Sequence, residues 1–464
     1  MQGQTLHLPA VRYAVTADIT TPAKGGGEPD EAVLAQPLLT VGRDTRLVLD
    51  ARAARPVSVR VPDSSARIEN VNVAVSVGDR GAISEFQSLA HLHTAQIGPS
   101  APANLFTAEI EGVWARPDAD GDFRSSPYAY MLSWFSEGGF FNGLSKAPAR
   151  GDLARVRSTQ QTLDRFGYVY KGYLAHSLHG VEGVRLEHVT REGATLTEYY
   201  STGVGWETLF GDIWGDAGAL VSRTTPQVRH FQPGGDYRDR WGAAVLGPAF
   251  LRPQPGQAPG VARTAAGIDV DVPMYVDGDG HPGEAGAITG STTLYRNGAK
   301  VGTSDARGSA TFSVPAQDAT YRLDTTVTHP PAFLEFSPRI DTSWTFRSAA
   351  VSDGTPRALP VSAIRFHPRV DARNHLLPGG SAMHVTVERQ PGAERPGRQK
   401  LSVSASFDDG HTWRQVAVAP TAHEGDWLAR VPRPSKPGYV SLRAVAADGH
   451  AGSVRQTIIR AYAG

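Results

Sequence analysis

Apolar and polar residues alternate with a period of two in many short segments of the chain. In "PVSVRVPD", Val57, Val59 and Val61 point one way, with Ser58 and Arg60 opposite. "VNVAVSVGD" repeats the pattern with Val71, Val73, Val75 and Val77, and "LSVSASF" with Leu401, Val403, Ala405 and Phe407. Such alternation marks strands with one face on a core and the other in water. Helical periodicity is scarce. "DLARVRSTQQTL" predicts one short helix, with Asp152 as its cap.

Composition sharpens this picture. Gly (50) and Pro (33) interrupt the 464 residues often, well above average usage. Short apolar segments between such residues predict an all-β chain rich in turns. Disorder is excluded, because 40% of the chain is hydrophobic. Three breaks divide the strands: a long loop at 20–31, "TTPAKGGGEPDE", and Pro/Gly-rich linkers at 252–260 and 352–360. The expected fold is therefore several consecutive β-sandwich domains, immunoglobulin/fibronectin-like or prealbumin-like, with little helix. The units are a small sandwich at 1–65, a larger aromatic-rich domain at 66–251, a sandwich at 261–350 and a C-terminal one at 358–464.

Charge and cysteine content narrow the function classes. Lys+Arg and Asp+Glu balance at 46 each, so neither nucleic acid nor an anionic membrane surface is favoured as a partner. The absence of cysteine removes disulfides, thiol catalysis and cysteine-ligated zinc. It leaves the compartment open. No apolar run is long enough to span a membrane. "MQGQTLHLPAVRYAV" carries no charged segment followed by an apolar one, so no signal peptide is visible.

Several stretches invite a chemical reading. "SFDDGHTW" places Ser406, Asp408, Gly410, Thr412 and Trp413 in the S-x-D-x-G-x-T-W pattern of an Asp-box, found in sialidases and other β-rich proteins. Its physics is that of a hairpin: the Asp408 carboxylate accepts backbone N–H groups, Gly410 supplies a positive φ and Trp413 packs on the strands below. One copy, without the arginines and tyrosine of a sialidase, reads as a structural turn. "GTSDA" imitates the stretch around a subtilase nucleophile, but Ser304 runs into a turn and strand, and no positioned base accompanies it.

Ca²⁺ is the only cofactor suggested. Asp118, Asp120 and Asp122 in "DADGD", and Asp277 and Asp279 (with Glu284) in "VDGDGHPGE", are loop carboxylates of the kind Ca²⁺ takes. Neither set has the spacing of an EF-hand, and solvated hairpin turns are the preferred reading. His91 and His93 share one strand face without a third ligand. Trp114, Trp134, Trp206 and Trp214, with Phe135, Phe140 and Phe141, are either core residues or the lining of a ligand face. Beside them, Glu109, Glu111, Asp118, Glu137 and Glu207 are the only carboxylates that could pair for glycoside hydrolysis.

The order of the segments carries a further signal. "YRLDTTVTH", "SPRIDTSWTFRSA" and "LPVSAIRFHPRVDARN" lead into "LSVSASFDDGHTWRQVAV" and "PGYVSLRAVAADGHAGSVRQTIIRAY". "RYAVTADITTP", "TRLVLDARAARPVSVRVPD", "GVRLEHVTREG", "TLTEYYSTG", "FQPGGDYRDRWGAAVLGPAF" and "TTLYRNGAKVG" precede them. This succession, over nearly the whole chain, resembles the post-catalytic β-rich region of large secreted subtilisin-like serine peptidases of actinobacteria. The Asp, His and Ser segments of that family's catalytic domain are absent, so no catalytic residue carries over. The resemblance implies an extracellular, non-catalytic region that stabilises, spaces or targets a protease domain, or binds its protein or polysaccharide substrate. A carbohydrate- or cell-wall-binding module and a sialidase-like glycosidase are the alternatives.

Overall fold

The computed structural model describes residues 5–464, apart from 24, 162–167, 215–218, 226, 254–257, 285–287, 332–333, 352–354, 395–398 and 449–451; the side chains of 212–222 are likewise outside it. The described chain is built almost entirely of β-strands in six sheets, with two single-turn 3₁₀ helices. The alternating segments around Val57, Val73 and Val403 are strands: Arg55–Val59, Arg67–Val77 and Lys400–Ser406. No described helix is long and apolar enough to cross a membrane.

The helix expected from Asp152 does not form. A single 3₁₀ turn, Arg150–Asp152, gives way at once to the strand Leu153–Gln160. Leu153, Ala154, Val156, Ser158 and Gln160 are buried, so beyond Leu153 every second side chain turns inward. The strand is held on both edges, antiparallel to Thr195–Ser201 and parallel to Asp236–Trp241. Two paired edges outweigh a weak local preference for helix.

The N-terminal half is layered. A seven-stranded sheet runs in the order Asp236–Trp241, Leu153–Gln160, Thr195–Ser201, Tyr128–Glu137, Thr107–Ala115, Arg67–Val77, Arg80–Phe86. On one face, Val73, Val75, Ala108 and Ile110 pack on Val33, Ala35, Val57 and Leu92 of a five-stranded sheet. On the other, Val113, Ala115, Met131 and Val156 pack on Tyr173, Ala175, Leu186 and Trp206 of a six-stranded sheet. Thr107–Ala115 lies between both layers and is buried along its whole length.

The sheets cross the boundaries expected from composition. The five-stranded sheet combines Arg12–Thr21, Asp30–Thr40 and Arg55–Val59 with Leu92–Gln96 and Leu144–Lys146, so residues 1–65 do not close a sandwich alone. An eight-stranded sheet joins the expected third and fourth units, because Arg339–Ser348 pairs with Ser453–Ala463 from Arg339↔Ile459 to Thr345↔Ser453. One hydrophobic core runs from Ala244 to Ala463. The Trp344 indole donates to the Ser362 carbonyl at 2.8 Å, and Gln456 bonds both backbone groups of Ile364. A Pro/Gly-rich break marks where a strand stops. It does not reveal whether the strands on either side share a sheet.

Candidate functional site

The strand Thr107–Ala115 reads T-A-E-I-E-G-V-W-A. Its period puts Glu109 and Glu111 on the same face as Val113 and Ala115, toward the six-stranded sheet. Glu109 is 3% exposed and Glu111 fully buried. The Glu109 carboxyl accepts the Ser133 hydroxyl at 2.6 Å and the Val184 backbone N–H at 2.9 Å. Glu111 accepts the Asn72 amide at 3.0 Å with one oxygen, and its other oxygen is buried without a hydrogen-bond partner among the described residues. Burial raises Glu109 to about 7, against its bonds to Ser133 and Val184. Burial and the neighbouring Glu109 charge hold Glu111 well above the carboxylate range.

Two clefts flank this pair and share Phe135 as a wall. The first, about 450 Å³, is lined by Trp134, Phe135, Phe141 and Leu178, with Ser177, His179 and Glu137 among its polar groups. The His179 ring contacts the Glu137 carboxylate at 2.5 Å. Ser177 Oγ accepts the backbone N–H groups of His179 and Val181 at 3.3 and 3.1 Å, closing the turn between them. Serine, histidine and carboxylate thus meet in one cleft, but no hydrogen bond joins the hydroxyl to the imidazole. An acyl-transfer nucleophile needs that bond to lose its proton. The second cleft, about 360 Å³, has Glu109, Glu182, Asp79 and Arg80 on its walls.

The five carboxylates proposed for glycoside hydrolysis do not converge. Glu109 and Glu111 lie two residues apart on one strand and are both buried, which leaves no place between them for a glycosidic bond and water. Glu137 pairs with His179, and Glu207 lies 3.7 Å from His176. Asp118 closes its own turn, accepting the N–H groups of Asp120 and Asp122 at 3.0 and 2.9 Å.

The remaining candidates are dispersed. Trp114 and Trp206 are buried, the latter donating its indole N–H to the Ser201 carbonyl at 2.9 Å. Trp134 is half-buried at the first cleft, and the Trp214 side chain lies outside the described residues. The three described tryptophans make no coplanar exposed row, because the strand period sends Trp114 and Trp206 into the layers. Asp122 pairs with Arg124 and Asp279 with Arg240. Asp277 is fully buried and spends its carboxylate on the N–H groups of Gly242, Asp279 and His281 and on the His281 ring. His91 pairs with Asp30 at 3.0 Å, and His93 with the His91 carbonyl. Among the described residues, no three His, Asp or Glu side chains are grouped to hold a metal.

The serine of "GTSDA" and the Asp-box both serve turns. Ser304 Oγ donates to the Ser309 carbonyl at 3.0 Å and accepts the Ala306 N–H at 3.1 Å. Asp408 accepts the Ser406 hydroxyl at 2.6 Å and the Thr412 N–H at 2.8 Å, which hold it far below the usual carboxylate range. Gly410 has φ +90°, and the Trp413 indole donates to its carbonyl at 2.8 Å. The Arg443 guanidinium lies 4.1 Å over the Trp413 ring, so one face is already covered.

Sequence reasoning missed the buried charge network between the seven- and six-stranded sheets. Lys171 donates to Ser158 at 2.9 Å and pairs with Glu198, which also accepts Tyr173 and Tyr200 at 3.1 and 3.0 Å. The signal was present in "YVYKGYLAH", where Lys171 shares the parity of the core residues Val169, Tyr173 and Ala175. Compared with known proteins, the chain matches no family model and no curated protein.

Proposed function

We propose that this chain is an extracellular, non-catalytic accessory region of the kind that follows the protease domain in subtilisin-like peptidases. It works by holding or touching a partner rather than by cutting bonds. One observation carries the reading: where a serine, a histidine and a carboxylate come together, the Ser177 hydroxyl is committed to the backbone of its own turn. A serine in that role lacks the base that would activate it. The shared sheets also suit a stiff spacer, since the units cannot swing about the Pro/Gly-rich breaks. The test is to incubate the purified chain with casein and with a fluorophosphonate probe, and separately to add it to a subtilase catalytic domain. The expected result is no cleavage, no labelling and a longer half-life of the protease. Cleavage that disappears on labelling of a serine overturns the reading.

A second reading, binding of a polysaccharide, draws support from the first cleft, where Trp134, Phe135 and Phe141 stand beside Glu137 and His179. Rings flanked by a few polar groups suit the apolar face and hydroxyls of a sugar. Retention on insoluble polysaccharide that is lost in Trp134→Ala supports it. Unchanged retention removes this cleft from consideration.

A further inference from the structure

One face of the seven-stranded sheet is covered over only part of its width. The core beneath the five-stranded sheet takes in residues of Arg67–Val77 and Thr107–Ala115 and, among the described residues, none from Leu153–Gln160 or Asp236–Trp241. Those two strands turn Val156 and Tyr237 toward the six-stranded sheet. The period then sends Arg155, Arg157 and Thr159 outward, with Asp236, Arg238 and Arg240 as their partners in register. Thr195 faces Thr159 from the other side. Arg157, Thr159, Thr195, Arg238 and Arg240, with Asp239 and Asp279, line a cleft of about 480 Å³ on this face.

Charge here is unbalanced, since four guanidinium groups meet two carboxylates. Asp236 takes both Arg155 and Arg157, and Asp279 takes Arg240. Asp239 is spent on Arg229. Arg238 makes no ion pair among the described residues, although it lies directly beside Arg157, and the Arg157 Nε has no acceptor among them. Like charges side by side on a sheet repel. The two carboxylates show what these arginines grip. Arg155 sets Nε and Nη2 on the two oxygens of Asp236 at 3.3 and 2.7 Å, and Arg240 does the same to Asp279 at 3.0 and 2.5 Å. A planar carboxylate matches a guanidinium fork in this way. We propose that Arg157 and Arg238 bind the carboxylates of a uronic-acid polysaccharide lying across Leu153–Gln160 and Asp236–Trp241, with Thr159 and Thr195 bonding its hydroxyls. The site shares no residue with the Trp134 cleft and depends on neither reading above.

The lining selects this class over other polyanions. It includes no aromatic ring among the described residues, so nothing stacks a nucleic-acid base. It includes no apolar side chain among them either, whereas protein partners dock on such anchors. The Thr159 and Thr195 hydroxyls stand 3.3 Å apart and can each donate and accept, as sugar hydroxyls require.

Isothermal titration with polygalacturonate at low salt tests this. Binding should weaken roughly ten-fold or more in Arg157→Gln/Arg238→Gln. It should stay within about two-fold of wild type in Arg414→Gln/Arg430→Gln, which removes the same charge from exposed positions on other strands. Neutral dextran, dextran sulfate, polyglutamate and single-stranded DNA should all bind more weakly than polygalacturonate. The proposal is overturned if polygalacturonate does not bind, if both variants lose affinity equally or neither does, or if any of the other polymers binds as tightly. Should the first variant fail to fold, hydrogen exchange of the wild type decides. Polygalacturonate should slow the amides of Asp236–Trp241 and leave Tyr439–Ala447 unchanged, and no slowing at Asp236–Trp241 removes the site.

Discussion

Lys171 and Glu198 form an ion pair with neither side chain exposed to water, one residue on each of two facing sheets. Ser158, Tyr173 and Tyr200 supply the remaining hydrogen bonds. A buried pair of this kind contributes little over a well-packed apolar pair, but breaking one side is costly because the other charge stays behind. Lys171→Met should therefore lower stability by about 3–5 kcal/mol, and Lys171→Met/Glu198→Leu should recover most of that loss. Urea unfolding of the three proteins decides it. A single-variant loss below about 1 kcal/mol would contradict the account.

Asp277 is the second buried anchor, joining Gly242 and His281. Burial pushes its carboxyl up, but the His281 charge and hydrogen bonds, with Arg223, outweigh this and hold it below its usual value. An acid depressed in the folded state contributes stability that is present above the unfolded value of about 3.9 and lost as pH falls through the folded one. Asp277→Asn should cost about 2–3 kcal/mol at neutral pH. It should also shrink the acid limb of a melting-temperature profile below about pH 4. An acid limb of unchanged depth would refute the assignment.

Gly410 is required by its backbone. At φ +90° any side chain is strained, and a Cβ there would also meet Ile459 at 2.8 Å. Gly410→Ala should lower stability by about 1–2 kcal/mol. Differential scanning calorimetry should register the change.

The shared eight-stranded sheet predicts how the chain can be cut. A fragment of residues 261–350 leaves Arg339–Ser348 without Ser453–Ala463 and exposes the core around Trp344. It should show a disordered amide spectrum in solution NMR, whereas a fragment of residues 242–464 should be dispersed and melt cooperatively. Folding of 261–350 by itself would mean that the sheet is divisible.

Strands were legible where period-two alternation was clean, as at Val71–Val77 and Leu401–Phe407, because the pleat alone sets which side chains face a core. The Asp-box was legible for a similar reason, since the side-chain hydrogen bonds of Ser406, Asp408 and Trp413 all lie within residues 406–413. The stretch at Asp152 misled, because its strand depends on neighbours 46 and 81 residues onward, from Ala154↔Tyr200 and Arg155↔Asp236.

The sequence by itself determined the β class, the turns and the absence of thiol chemistry, all of which depend on residue type and local spacing. Only the tertiary structure decided which breaks are true boundaries, and which tryptophans and carboxyls are buried. Glu109 and Glu111 look like ordinary polar positions of a half-exposed strand until a second sheet covers them. Their burial arises from layers joined across more than 70 residues of chain, from Glu109 to Val184, and no local pattern encodes that.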